Sequence, residues 1–188
     1  MRAKNATAPR AKARPPTKDL AALRDMGLPI YGMPGHLIRR LHQVSVSIFV
    51  EETQAAGIDL TPVQYAALTA VREYPRIDQA TLGGVIAYDR TTIGGVIDRL
   101  EEKGLLRRSI CKENRRIRQL TIESEGEKLL VRIKPLVAKI QARMIAPLLA
   151  NERDDFMRCM IHLADAHNEQ TRAPLRPLSS KHLRQLNL

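Results

Sequence analysis

The feature that most restricts the fold is a change of hydrophobic period within residues 60–122. Before Gly104 the apolar residues recur every three or four positions, as they do on one face of an α-helix. After it, the stretches 105–110 and 117–122 alternate in part between apolar and polar residues, which is typical of β-strands. A polar, basic tip separates these two stretches. The pattern therefore predicts short helices followed by one β-hairpin.

Local signals mark where these helices begin. Thr61 and Gln64, with a proline between them, form a capping box, in which each side chain bonds to the other's backbone. Asp78 and Asp89 each precede apolar residues at helical spacing. An aspartate in that place caps a helix by accepting its first N–H groups. We therefore expect helices to start after Thr61, Asp78 and Asp89.

Long amphipathic patterns flank this centre. Residues 35–56 carry an apolar stripe that ends at Gly57, and residues 124–149 carry a second one, which two prolines should bend or interrupt. A last helix is expected after Asn151 as its cap, with Cys159 in its core-facing stripe. These helices carry more apolar surface than the small centre can cover. Self-association into a homodimer is the expected solution, and a monomeric bundle is the alternative.

Composition narrows the class of partner. The 188 residues include 31 basic and 20 acidic side chains, a net charge of +11, and residues 103–118 hold seven basic side chains and one acid. Such an excess of positive charge predicts a polyanionic partner. An aromatic content of 3% disfavours proteins that stack single-stranded bases or RNA. Double-stranded DNA is therefore the expected partner.

The sequence lacks the signatures of disulfide-rich, secreted, membrane-spanning and catalytic proteins. Two cysteines cannot form a disulfide framework, so a reducing compartment is expected. The basic start is not followed by the apolar segment of a secretory signal, and no apolar run approaches the length of a membrane span. No catalytic motif and no metal-binding spacing is present. We expect a cytoplasmic, nucleoid-associated protein that is not an enzyme and has no cofactor and no membrane partner.

Two short helices with a tight link, followed by a basic hairpin, indicate a winged helix-turn-helix. The expected fold class is mainly α, with a winged helix-turn-helix and its two-stranded β wing inserted between dimerisation helices. The predicted organisation is a basic flexible arm over 1–32, a helical dimerisation region over 33–59 and 123–170, a DNA-binding lobe over 60–122, and a basic tail over 171–188.

The second short helix should enter the major groove with its first turn towards the DNA. Arg90 can bond to guanine edges or phosphate, and Thr91 and Thr92 offer hydroxyl and methyl groups. Gly94 and Gly95 weaken a helix by about 1 kcal/mol each relative to alanine. That cost suits a backbone that must approach the duplex or a neighbouring helix closely. Neutral variation on an exposed face is the alternative.

The hairpin should act as the wing. Arginine suits the narrow, electronegative minor groove, and Arg115 and Arg116 lie at the hairpin tip. Contacts with phosphates make binding strongly salt-dependent. The basic residues expected to position the wing on phosphates are Arg107, Arg108, Lys112 and Arg118.

Four segments of this region resemble a known family. They are Asp89-Arg90-Thr91-Thr92, residues 98–108, Asn114-Arg115-Arg116 and residues 120–126. Together they resemble the signature of MarR-type transcriptional regulators, which are homodimeric winged-helix repressors or activators of bacteria and archaea. The order of the helices extends the resemblance over roughly residues 36–168.

The resemblance implies roles for individual elements. The first helix and the last two would form the dimer interface, and the recognition helix, which includes Arg99, would enter the major groove. The wing motif of the family is usually Asp-x-Arg, so Arg116 corresponds to the minor-groove arginine and Asn114 replaces the acid that steadies it. The family often has a bulkier or charged residue where Gly95 lies.

The resemblance also implies a ligand. MarR-like proteins commonly respond to small phenolic or aromatic acids or their thioesters, bound between the dimer helices and the DNA-binding lobe. Arg39 or Arg40 could clamp a carboxylate, His36 and His42 could donate to ring substituents, and Tyr65 could supply a hydroxyl and a ring face. The alternative is that the basic residues are merely solvated and that the tyrosine belongs to the core.

The expected function is therefore a dimeric regulator, a repressor, that a small aromatic acid or thioester releases from a pseudo-palindromic operator or modulates there. Two alternatives stay open. One is a redox-sensing regulator of the same fold, because Cys111 lies beside the basic wing, where positive charge favours a reactive thiolate. The other is a nonspecific architectural DNA-binding protein, driven by the basic ends of the chain.

Overall fold

The computed structural model describes residues 20–111 and 117–178. Within them lie seven α-helices, two 3-10 turns and one antiparallel pair of strands. In chain order these are α1 (Leu20–Arg24), a 3-10 turn (Pro29–Gly32), α2 (Pro34–Ala55), α3 (Pro62–Glu73), α4 (Gln79–Val85), α5 (Arg90–Glu102), β1 (Leu106–Ile110), β2 (Arg118–Ile122), α6 (Ser124–Ile145), α7 (Ala150–Ala166) and a second 3-10 turn (Asn168–Gln170). The predicted fold class is confirmed.

One hydrophobic core holds α3, α4, α5 and the two strands together. Its largest fully buried side chains include Leu68, Ile77, Leu82, Ile93, Ile97, Leu100, Leu106 and Leu120. Helix α2 adds Phe49 to this core, and α6 adds Leu130, Ile133 and Ile140. Helices α2 and α6 therefore pack onto the centre with only part of their surfaces.

The predicted helix starts in the lobe are confirmed. The Thr61 hydroxyl accepts the Gln64 N–H at 3.3 Å, and the Gln64 side-chain oxygen accepts the Thr61 N–H at 3.0 Å. One carboxylate oxygen of Asp78 accepts the N–H groups of the second and third residues of α4 at 2.9 and 3.0 Å. These short-range bonds fix where each helix begins, which is why the sequence alone could predict them.

The base of the hairpin is tied to the lobe through its backbone. Strands β1 and β2 pair in a register that sets Leu106 opposite Ile122 and Arg108 opposite Leu120. On its other side, Leu120 accepts the Arg76 N–H and donates to Ile77 O, both at 2.9 Å. The base of the hairpin is therefore anchored to the lobe.

The structure differs from the sequence prediction in α7. This helix begins at Ala150, so Asn151 lies inside its first turn and is not the cap. Instead, the N–H of Leu149 donates a hydrogen bond to the Glu152 carboxylate at 2.8 Å. Cys159, which we expected in the core, is exposed. No residue of α7 is buried in the chain described here.

The predicted flexible arm over 1–32 is also not uniform. Residues 20–24 form α1 and residues 29–32 form a 3-10 turn, while residues 1–19 lie outside the described part of the chain. Among residues 20–111 and 117–178, no helix combines the length and the apolar content that crossing a bilayer requires.

An ion-pair cluster joins α2 to α6. The Glu52 carboxylate accepts bonds from Lys139 at 2.8 Å and from Arg143 at 2.9 Å, and its side chain is only 12% exposed. The hydrogen bond from Lys139, followed by that from Arg143, lowers the pKa of Glu52 below its ordinary value of 4.5. A carboxyl with a lowered folded pKa stabilises the fold above its unfolded pKa, and this stabilisation is lost as the pH falls through the folded value.

We therefore expect the Glu52→Gln variant to lose less stability on acidification than the wild-type chain. The measurement is urea unfolding over a pH series that runs from neutral to below 4.5. Glu125→Gln is the matched control, because Glu125 pairs with Lys128 on the surface of α6 with both side chains well exposed. An identical loss of stability in wild type and Glu52→Gln would contradict the assignment.

Candidate nucleic-acid interface

The first turn of α5 is exposed and firmly capped. One carboxylate oxygen of Asp89 accepts the N–H groups of Thr91 and Thr92, both at 3.1 Å, and the other accepts the Thr92 hydroxyl at 2.7 Å. The predicted Asp89 cap is confirmed. Arg90, Thr91 and Thr92 are exposed, so this turn presents polar side chains on a rigid frame.

The cap also fixes the charge and the hydroxyl at this turn. The hydrogen bond from the Thr92 hydroxyl, followed by that from its backbone N–H, lowers the pKa of Asp89 below its ordinary value of 3.8. Asp89 is therefore a carboxylate at neutral pH. Because the Thr92 hydroxyl donates its hydrogen to that carboxylate, only its lone pair and methyl group remain for a partner. Thr91 is the residue better placed to donate a hydroxyl hydrogen.

A shallow depression brings the start of α5 and the base of the wing together. Arg90 of α5 and Arg118 of β2 both line it, although they are 28 positions apart in the sequence. Its other lining residues come from the start of α4 and from the wing base: Asp78, Gln79, Ala80 and Ile117. Two arginines at the edge of one concave surface can bind neighbouring phosphates of a single DNA strand.

The two glycines of α5 have open surroundings. A Cβ atom at Gly95 would meet nothing within 4 Å, and one at Gly94 would meet only the end of the Gln79 side chain, at 3.5 Å. No neighbouring helix among the described residues therefore requires a glycine at either position. Close approach to the duplex and neutral variation are the two explanations that remain.

The Gly95→Ala variant separates these explanations. Alanine favours a helix over glycine by about 1 kcal/mol, which corresponds to a rise in Tm of about 2–4 °C for a chain of this size. If the backbone approaches the DNA closely, we expect thermal stability to rise and DNA affinity to fall in the same variant. Thermal unfolding and duplex titration are the two measurements. Gly35→Ala in α2, another open position, is the control. Higher stability with unchanged affinity would support neutral variation.

Arg108 has a different environment from the one expected. Its guanidinium pairs with Asp98 and with Glu101, the latter at 2.6 Å, and its backbone N–H donates to Glu101 at 2.9 Å. Its side chain is only 22% exposed. Arg108 therefore fixes the wing to the recognition helix instead of extending towards phosphate. The signal in the sequence was the pair of acids three residues apart on α5, which lie on one helical face.

The remaining predicted DNA contacts fall into two groups. Arg99 is exposed on α5, and Arg107 is 62% exposed while it pairs with Glu123 at 2.7 Å. The residues of the hairpin tip lie outside the described part of the chain, so their assignment stays a prediction: Lys112, Arg115 and Arg116.

The predicted ligand residues do not all come together in one chain. His36, Arg39 and Arg40 lie within the first two turns of α2, and Arg39 donates to Gln43 at 2.8 Å. Tyr65 instead contacts Phe49, with ring centroids 6.3 Å apart. Phe49 lies 13 residues beyond His36, which is about 20 Å along a helix. Within this chain Tyr65 is partly buried and packs against the hydrophobic core. His42 is exposed on α2 between these two groups.

The environment of Cys111, on which the redox alternative depends, does not favour it. Cys111 is 7% exposed, and its backbone N–H donates to Ile117 at 3.1 Å. Reactive sensor cysteines are accessible to solvent as well as close to positive charge. This position lacks the access.

Comparison with known proteins agrees with this geometry. The MarR family profile matches residues 60–117, which run from just before α3 through β1 and end immediately before β2. The transcriptional repressor NicR of Pseudomonas putida is 32% identical over 119 residues, which is 63% of this chain and 74% of NicR.

Two solved structures have the same architecture. PcaV of Streptomyces coelicolor, a transcriptional regulator solved with its natural ligand, has a TM-score of 0.67 and 31% identity over 74% of this chain and 97% of PcaV. BpsR of Bordetella bronchiseptica, whose DNA binding is regulated by 6-hydroxynicotinic acid, has a TM-score of 0.66 and 28% identity over 71% of this chain and 94% of BpsR. These relatives are regulators that act on DNA or transcription. The chain belongs to the MarR family of winged-helix transcriptional regulators.

Proposed function

We propose that the chain is a homodimeric repressor that binds a pseudo-palindromic operator in double-stranded DNA, and that a small aromatic carboxylate or its thioester modulates this binding. The observation that carries the proposal is the exposed start of α5, capped by Asp89 and adjoining the depression that Arg90 and Arg118 share. Helix α5 has 13 residues and is about 20 Å long. The major groove is wide enough to admit an α-helix.

Dimerisation is supported by apolar surface that one chain leaves uncovered. Ile38, Leu41 and Val44 are spaced three residues apart on α2, and each is more than 40% exposed. On α7, Met157 and Ile161 are one turn apart and similarly exposed. Stripes of this kind on helices that carry little else of the core are typical of subunit interfaces. A dimer with two-fold symmetry would present two recognition helices to half-sites about one turn of DNA, roughly 34 Å, apart.

The ligand class is supported by chemistry at the start of α2. Arg39 and Arg40 are exposed neighbours there, and His36 packs its ring against Tyr31 at a centroid distance of 5.8 Å. A guanidinium and aromatic rings at the start of the same helix suit a planar aromatic carboxylate. BpsR, one of the solved relatives, responds to such a compound. We therefore assign carboxylate binding to Arg39 or Arg40, assign ring contacts to His36 and His42, and leave Tyr65 packed against the core.

Selection of bound sites from random duplexes tests this function, with the selection repeated in the presence of a panel of aromatic acids. The expected result is one enriched sequence with two-fold symmetry that is lost in the presence of one class of acid. Selected DNA should also stay bound at salt concentrations that remove random DNA. Uniform binding without enrichment would favour the nonspecific architectural alternative and contradict the proposal.

A further inference from the structure

The segment after α7 folds back onto the DNA-binding lobe. We call residues 168–178 the C-terminal strap. The backbone N–H of Arg176 donates to Gly84 O in the last turn of α4 at 2.8 Å. A Cβ atom at Gly84 would lie 3.1 Å from the Arg176 Cβ, so the two backbones approach each other closely at this point. The strap therefore contacts the helix that precedes the recognition helix. The sequence predicts a separate basic tail over most of this segment.

Side chains at the two ends of the strap hold it in shape. Asn168 accepts the Leu175 N–H at 2.7 Å and donates to Leu175 O at 3.2 Å. The two carboxylate oxygens of Glu169 accept hydrogen bonds from two guanidinium nitrogens of Arg176, at 2.5 and 2.6 Å. A two-pronged amide contact and a two-pronged ion pair across seven residues restrict the conformation of the loop between them. We call these four bonds the clasp.

The clasp holds Arg172 in a loop that adjoins the connection between α4 and the recognition helix. Arg172 lies in the closed loop and is exposed. The strap docks on Gly84 in the last turn of α4, and α4 leads through residues 86–89 into α5, so the loop is close to the connection that begins the recognition helix. The positive charge of Arg172 is the last of the influences that lower the pKa of Asp89, the N-cap of α5. Residues 171–178 contain two arginines and no acid. Since Arg176 is bound by Glu169, Arg172 is the strap residue available to an anion.

We infer that the C-terminal strap is a third DNA-contacting element, which brings the Arg172 guanidinium to a backbone phosphate next to the first turn of α5. This inference rests on the proposed function. The phosphates that border the major groove pass the start of an inserted recognition helix, and the docked strap adjoins the connection that leads into that helix. A phosphate contact adds affinity and salt dependence without reading sequence. Arg172 thus strengthens binding to operator and random DNA alike.

The direct test compares Arg172→Gln with Arg158→Gln. Arg158 is also exposed, but it pairs with Asp155 on α7, so its replacement removes the same charge away from the strap. Affinity is measured against salt concentration for a selected operator duplex and for a random duplex. We expect Arg172→Gln to bind both duplexes about 3- to 10-fold more weakly. The slope of log affinity against log salt should fall by about 1.8 for a dimer that loses two phosphate contacts. Affinities and slopes equal to those of Arg158→Gln would overturn the inference.

A second variant tests the part played by the clasp. Asn168→Ala removes two of its bonds and changes no charge. We expect faster hydrogen exchange of the amides over 171–178 and a loss of DNA affinity in the same direction as in Arg172→Gln. Hydrogen exchange equal to that of the wild-type chain would overturn the role of the clasp. Faster hydrogen exchange combined with wild-type DNA affinity would overturn the role of the docked strap in DNA binding. Failure of the wild-type chain to bind any duplex would instead refute the proposed function itself.

Discussion

We expect the Gly126→Ala variant to be severely destabilised. Gly126 is buried in the first turn of α6, where a Cβ atom would lie 2.2 Å from Leu105 O and 2.8 Å from the Ile122 side chain. The oxygen cannot move away easily, because it accepts the Glu123 N–H at 3.0 Å at the point where β2 leads into α6. Overpacking of a core typically costs about 1–3 kcal/mol, and a clash with fixed backbone belongs at the upper end.

A loss of about 3 kcal/mol is a large part of the stability of a domain and should lower Tm by about 10 °C in a chain of this size. Thermal unfolding followed by circular dichroism measures it. Gly95→Ala, the same substitution in an open position, is the control and should be at least as stable as wild type. A Tm for Gly126→Ala within about 2 °C of wild type would contradict the packing described here.

The second large effect is expected from Arg90→Ala. Arg90 is the first residue of α5 and shares the depression with Arg118. An arginine contact to a guanine edge is worth about 1–3 kcal/mol, and a dimer would lose two of them. Affinity for the selected operator should therefore fall on the order of 100-fold, with little change in the fold because Arg90 is exposed.

The same titration on random duplex distinguishes reading of bases from binding of phosphate. If Arg90 reads guanine, affinity for random DNA should fall far less than affinity for the operator. Arg158→Ala is the control for removal of one positive charge. An equal loss on both duplexes would assign Arg90 to phosphate, and no loss on either would remove the start of α5 from the interface.

Features governed by neighbouring residues could be predicted from the sequence. The caps at Thr61, Asp78 and Asp89 depend on bonds that span two or three residues, and all three are present. The strands at 106–110 and 118–122 begin one residue after the predicted starts at 105 and 117, and they end at the predicted residues 110 and 122. The predicted cap of α7 was wrong. Asn151 is a residue type that favours the cap position, but the helix begins one residue earlier, where the Glu152 carboxylate accepts the N–H of Leu149.

Features governed by distant pairing could not be predicted in the same way. A run of basic residues does not reveal which of them is neutralised, and Arg108 is bound by acids seven and ten positions earlier in the chain. The rise of a helix separates the start of α2 from Phe49 and its neighbour Tyr65, which residue types alone do not reveal, and the role of Tyr65 in a ligand site stays a prediction. The docking of the strap depends on a backbone bond between Arg176 and Gly84, for which composition gives no signal.

The exposure of Cys159 has a related origin. Helical spacing identified an apolar stripe on α7, and a stripe does not reveal whether its own chain or a second chain covers it. Within the described residues no side chain of α7 is buried. A helix whose apolar face packs against another subunit would show this when its own chain is considered alone.

Dimethyl sulfate footprinting on the selected operator tests the central claim most directly. The reagent methylates guanine N7 in the major groove and adenine N3 in the minor groove, so one experiment reports on recognition helix and wing together. We predict two clusters of protected guanines about one helical turn apart on one face of the duplex, each flanked by protected adenines, with the guanine protection lost in Arg90→Ala. A single unpaired cluster, or protection confined to the minor groove, would contradict a dimer that inserts two α5 helices into the major groove.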